Sequence, residues 1–105
     1  MGTTDDPKGC TRPYVEIRPP KYGVARTYGE LIYLLREHRY SLGLSQLDVD
    51  HIAGLQDGYT GKLEQPNKHY GRRAVHPMFN LWLGGLGVGL MVVPLDDEEE
   101  GVSNE

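Results

Sequence analysis

Three groupings of side chains in this sequence could in principle do chemistry, and each is tested first by spacing. His38, His51, His69 and His76 offer imidazole ligands, but no two stand four residues apart as a helical zinc site requires, and no cysteine pair accompanies them. Metal binding is therefore not expected, and no cofactor is implied. Asp48, Asp50 and His51 could be drawn as an acid–base set, yet neighbours on a short helix point in different directions and no nucleophile stands with them. The run Gly84–Gly89, GGLGVG, looks like a nucleotide loop until its context is read. A dinucleotide fingerprint needs a strand before it and a helix after it, and here that order is reversed. No catalytic residue is assigned, and an enzyme is not expected. The single cysteine, Cys10, excludes an intramolecular disulfide and suits a reducing cytoplasm.

What remains is charge, and its position matters more than its sum. The chain has 105 residues and a formal net charge of −4, which is unfavourable for contact with phosphates. Six acids (Asp96, Asp97, Glu98, Glu99, Glu100 and Glu105) lie beyond Pro77 with no Lys or Arg among them. Residues 1–76 carry 11 bases against 9 acids and all four histidines, so the part before the tail is mildly basic. The acidic block reads as a solvated tail, with a DNA-mimicking flap over the basic surface as the alternative. No apolar run is long enough for a membrane span, and the amino end lacks the apolar stretch of a secretory signal. The expected location is cytoplasmic.

The elements that would position these groups follow from periodicity. Residues 1–12 read as a disordered tail, and residues 13–26 as a short strand and connector, with Val15 and Ile17 alternating against Tyr14, Glu16 and Arg18 before Pro19–Pro20. Thr27 and Glu30 form a capping-box pattern ahead of a helix from about Tyr28 to Leu42, with Tyr28, Leu31, Leu35 and Leu42 on one face and Gly43 as terminator. Ser45, with Asp48 three residues on, opens a second helix whose inner face is expected from Val49, Ile52 and Ala53. Gly54 ends it, Leu55 is the apolar turn residue, and a third helix runs from about Gln56 to Gln65. Two short helices joined through a glycine turn describe a helix-turn-helix. A basic loop follows, then a fourth helix from Pro77 with Phe79, Trp82, Leu83 and Leu86 at core spacing. VGLMVVPL reads as a strand within 87–95, apolar enough for cover on both faces. Residues 96–105 are the acidic tail.

The stretch from Arg36 to Glu64 resembles the signature of the Cro/lambda-repressor-like helix-turn-helix regulators, the Xre family. Arg36, Glu37, Arg39, Gly43, Leu44, Ser45, Gln46, Val49, Ile52, Gly54, Leu55, Leu63 and Glu64 match it in register and without gaps. The resemblance spans about residues 27–86, and the first 26 residues have no counterpart in it. It implies a mainly α, lambda-repressor-like bundle of four to five helices with a short strand near each end. It implies DNA binding through Ser45 and Gln46 at the start of the second helix, which would meet a phosphate. Gln56, Asp57, Tyr59 and Thr60 would lie near base edges, and Lys62, Asn67, Lys68, Arg72 and Arg73 would face phosphates. It also implies a structural pair, Arg39 with Glu64, tying the first helix to the third.

Several residues depart from that signature. Asp50 stands where a small Ala is usual, so its carboxylate must either turn outward or find a partner such as His51 or Tyr59. Thr60 replaces an aliphatic residue, and Gly58 and Gly61 weaken a two-turn helix by about 1 kcal/mol each. Tyr28 and Tyr33 are expected to pack around the first helix, and Trp82 in the core or a dimer interface. The implied function is a small sequence-specific transcriptional regulator, a repressor or antitoxin-like autoregulator. Its partners would be double-stranded DNA, a second copy, and a protein such as a toxin; the strand at 87–95 would pair either with the N-terminal strand of the same chain or with a second copy across a two-fold axis. The alternative is a helix-turn-helix domain reused for protein–protein interaction.

Overall fold

The computed structural model describes residues 14–95; the two tails expected at 1–12 and 96–105 lie outside the described residues. Four helices form: α1 (Tyr28–Ser41), α2 (Gln46–Ala53), α3 (Tyr59–Leu63) and α4 (Met78–Leu86). The chain is thus mainly helical, and no helix is long and apolar enough to cross a membrane among the described residues.

Local chemistry sets the helix ends. The Thr27 side chain accepts the Glu30 N–H at the start of α1, and the Glu30 carboxylate reaches past the cap to accept the Arg26 N–H at 2.7 Å. At α2 the reciprocal pattern is complete, with Ser45 Oγ accepting the Asp48 N–H and the Asp48 carboxylate accepting the Ser45 N–H. α2 ends at Gly54 in the left-handed conformation. α4 starts after Pro77, whose peptide bond with His76 is cis, and ends at Gly87.

The core is one cluster: Ile32 and Leu35 from α1, Val49 from α2, Leu55 from the turn, Leu63 from α3, and Trp82 and Leu86 from α4. α2 packs on both α3 and α4, and α1 on α4. The α2–α4 crossing is close because Gly85 has no side chain; a Cβ there would stand 2.6 Å from Ala53 Cβ. That crossing selects which residues of α2 face inward. Val49 is fully buried and Ala53 meets Gly85, so Ile52, one position off that line, turns out and is 59% exposed, contrary to its expected place in the core. Leu42 is likewise exposed, because it caps α1 rather than lying on its buried face.

Neither expected strand forms among the described residues. A strand needs a ladder partner, and segment 14–18 finds a single side chain instead. Asn67 accepts the Val15 N–H at 2.8 Å and donates to the Val15 carbonyl at 2.6 Å, supplying both backbone bonds with one amide. Val15 is buried there. Toward the other end, Leu90, Met91, Val92, Val93 and Leu95 are all exposed, so the apolar segment expected to be covered is bare within one chain.

Candidate functional site

The α2–turn–α3 unit is built around a helix that could not stand alone. α3 has five residues, too few to be stable without tertiary support. Two buried carboxylates hold it, one at each end.

At its start, the Asp50 side chain is fully buried on α2. One carboxylate oxygen accepts the Gly58 N–H at 2.7 Å; the other accepts the Thr60 N–H at 2.8 Å and the Thr60 hydroxyl at 2.6 Å. Gly58 is the cap of α3 with φ +91°, a left-handed conformation that disfavours any residue with a Cβ. Having no side chain, Gly58 cannot cap the helix itself, and Asp50 does so from outside. Three of the departures noted in the sequence, Asp50, Gly58 and Thr60, are therefore one joint. Asp50 meets neither His51 nor Tyr59 but the N–H groups of the next helix, while His51 Nε2 lies 3.0 Å from the exposed Asp57 carboxylate.

At its end, Glu64 receives Arg39 in a bidentate pair, Nε to Oε2 at 2.6 Å and Nη2 to Oε1 at 2.9 Å. Both side chains are buried. Arg39 Nη1 also donates to the Leu44 carbonyl at 2.9 Å, so the same guanidinium fixes the α1–α2 turn. The Glu64 hydrogen bonds hold the Arg39 charge even more firmly than in water, raising its pKa despite burial. Gln46 Nε2 donates to Glu64 Oε1 at 2.9 Å. Its side chain crosses over Gly61, where a Cβ would stand 3.1 Å from Gln46 Oε1. Gly61 thus leaves room for a bond that a longer residue would obstruct.

These joints redistribute the residues expected to meet DNA. Thr60 is fully buried beneath α3 and cannot reach a base edge, because its hydroxyl belongs to Asp50. The Gln46 amide turns inward to Glu64 rather than outward to a phosphate. Asn67 tethers the N-terminal segment. Ser45 is exposed and caps α2, Gln56 and Asp57 are exposed before α3, and Tyr59 is half-buried against the core. Lys62 is half-buried, while Lys68 and Arg72 are exposed. Arg72 Nη1 donates to the Tyr70 and Gly71 carbonyls, and the Arg73 guanidinium sits 5.7 Å from the centre of the Tyr28 ring. The Tyr28 hydroxyl accepts the Ala74 N–H at 2.8 Å, and burial pushes its pKa up, so it stays neutral at ordinary pH.

Folding also sorts the charges. Glu30, Asp50 and Glu64 are buried, and so is Arg39. Among the described residues the surface then carries Arg18, Lys21, Arg26, Arg36, Lys62, Lys68, Arg72 and Arg73, against the acids Glu16, Glu37, Asp48 and Asp57. Residues 14–95 hold nine bases and seven acids, so burial leaves their surface more basic, at eight against four, than their composition. No group of three or more metal-ligating side chains comes together among the described residues. Asp50 was the functional residue least visible in the sequence, and the clue was its need for donors: the first-turn N–H groups of the following helix are the nearest unpaired ones.

No family model, no curated protein and no solved structure matches the chain.

Proposed function

We propose that this protein is a small DNA-binding regulator of the Cro/lambda-repressor-like type, using α2 and α3 against the major groove. The observation that carries the reading is the inward turn of three acids against one base, which leaves an eight-to-four excess of bases on the described surface, four of them on α3 (Lys62) or in the loop after it (Lys68, Arg72 and Arg73). Such an excess is the electrostatic footprint of phosphate contact. The side chains still available near base edges are Gln56, Asp57 and Tyr59. Specificity would therefore rest on few side chains, with affinity drawn chiefly from phosphates.

Reading a two-fold operator calls for two copies. The exposed apolar run Leu90–Leu95, in which Met91 and Val92 are 83% and 97% exposed, is the segment that a second copy would cover. Met91→Asp is expected to leave the fold intact and shift the protein to monomer by light scattering, with weaker operator binding. An unchanged mass would remove the segment from the interface.

The test of DNA binding is a salt-titrated gel shift on the DNA upstream of the chain's own coding sequence. Binding that weakens steeply with salt is expected; no shift even near about 50 mM salt, where phosphate contacts are strongest, would overturn the reading. A second reading, a helix-turn-helix reused to bind protein, draws on Leu47 and Ile52, both about half exposed on α2. Under that reading, charged residues at these two positions abolish a protein contact and leave the gel shift unaffected.

A further inference from the structure

The N-terminal segment, which has no place in a helix-turn-helix, makes one wall of a cleft of about 330 Å³ at the start of α1. Arg18 and Glu16 line it from the segment, Thr27, Tyr28 and Gly29 from α1, and Arg73 from the loop after α3. The two walls are brought together by backbone contact: a Cβ on Gly29 would collide with the Glu16 carbonyl, so only glycine lets the segment lie this close. Asn67 holds the same segment through Val15, from within the basic loop.

The cleft has the chemistry of an oxyanion site. Arg18 approaches Glu30 Oε2 at 3.6 Å and Glu16 Oε2 at 4.0 Å, and neither separation is a hydrogen bond. Its guanidinium is thus ion-paired with two carboxylates but makes no hydrogen bond among the described residues, and its side chain is 57% exposed beside the cavity. Glu30 Oε1 accepts the Arg26 N–H, and its Oε2 balances Arg18 at a separation longer than a hydrogen bond. Arg73 is steadied against the Tyr28 ring across the cleft.

We propose that this cleft seats a phosphate of the DNA backbone between Arg18 and Arg73, so that the N-terminal segment extends the contact surface of the helix-turn-helix. The inference rests on the DNA-binding reading above and names a contact that reading does not require. A phosphate seat carries no base preference, so its loss weakens binding to operator and unrelated duplex alike.

The experiment measures the salt dependence of binding to the chain's own upstream duplex and to an unrelated duplex, for the full chain and for Arg18→Ala, Arg73→Gln and Glu16→Gln. Thermal unfolding checks that each variant is folded; Arg18→Ala removes the cation beside the buried Glu30 carboxylate, so it is expected to unfold at a lower temperature than the full chain while remaining folded at the temperature of the assay. Removing either arginine should lower the log–log salt slope by about one on both duplexes. Glu16→Gln should tighten binding several-fold by taking a negative charge from the cleft. A full chain that binds DNA while Arg18→Ala keeps its slope would overturn the phosphate seat and leave the regulator reading standing. A full chain that binds no duplex would overturn both. In a parallel arm, inorganic phosphate raises the unfolding temperature of the full chain. If Arg18→Ala abolishes that rise but not the DNA slope, the cleft takes a free oxyanion and the DNA assignment falls.

Discussion

The two ends of α3 are held by the same chemical group in opposite ways. Glu64, at the end, is met by a cation on α1, and the pair exchanges two short hydrogen bonds in a buried setting. Asp50, at the start, is met by neutral donors only, two backbone N–H groups and one hydroxyl. Desolvating a charge costs several kcal/mol in either case. At Glu64 the compensation comes from a formal opposite charge, and at Asp50 from the dipoles of a helix start pointing at the carboxylate. The first joint ties distant parts of the chain, residues 39 and 64, and so fixes the tertiary arrangement. The second spans only ten residues and fixes the turn. One is the anchor of the fold, the other sets the angle at which α3 leaves α2.

The largest effect should come from breaking the ionic joint on one side. Arg39→Ala or Glu64→Ala leaves a buried charge without its partner and should cost about 3–5 kcal/mol in denaturant unfolding. The double variant Arg39→Met with Glu64→Leu should recover most of that loss, because no charge is then stranded. A double variant as unstable as the singles would mean that the pair is not where the energy lies.

Asp50→Ala should cost about 2–3 kcal/mol, since it removes a helix cap and leaves the buried Thr60 groups unpaired. Its signature is local: the Gly58 and Thr60 amides should exchange with solvent much faster than those of Val49 or Ile32. Uniform acceleration across the core would make Asp50 a fold anchor like Glu64 and erase the contrast. Gly58→Ala sharpens the same point at about 1–2 kcal/mol, because only the left-handed backbone at 58 presents its N–H to Asp50. Equal stability of that variant would show that the turn can relax.

The smallest effect concerns the exposed cap of α2. The Ser45 N–H holds the Asp48 carboxyl below the usual carboxylate range. A depressed folded-state pKa means that its contribution is complete above the ordinary value near 4 and is lost as pH falls through the depressed one. Asp48→Asn should therefore lower stability slightly at neutral pH, with the difference vanishing as the pH falls through the depressed value, so that the acid limb is flatter. A neutral-pH loss as large as that of Asp50→Ala would place Asp48 among the buried joints.

Which parts of this were legible beforehand follows from the range of each interaction. The Ser45–Asp48 cap is local and could be read from four residues. The core spacing of Trp82 and Leu86 could be read from helical period, and both are buried. Ile52 could not, because an eight-residue helix offers two adjacent inner lines, and the choice is made by Gly85 on another helix. The alternation at Val15 and Ile17 suggested a strand that does not form, because Val15 is paired by the side chain of Asn67, 52 residues away, and not by a second strand. Thr60 and Gln46 were expected at the DNA and lie inside or turn inward, because buried carboxylates claim their donors first. The reading of the site was weakest where a polar residue had two uses open to it.

The Asp50 joint also has a consequence for how this sequence can drift. Asp50, Gly58 and Thr60 form one unit, so their substitutions are not additive. Losing the carboxylate alone strands donors, and replacing Thr60 by Val alone removes one donor from a buried charge. Asp50→Ala together with Thr60→Val removes the carboxylate and the hydroxyl but leaves the Gly58 and Thr60 N–H groups without their acceptor, so the paired replacement recovers only part of the loss. The main chain at 58 and 60 thus keeps asking for an acceptor whatever side chain stands at 60, and a lineage holding Asp50 is held there by epistasis.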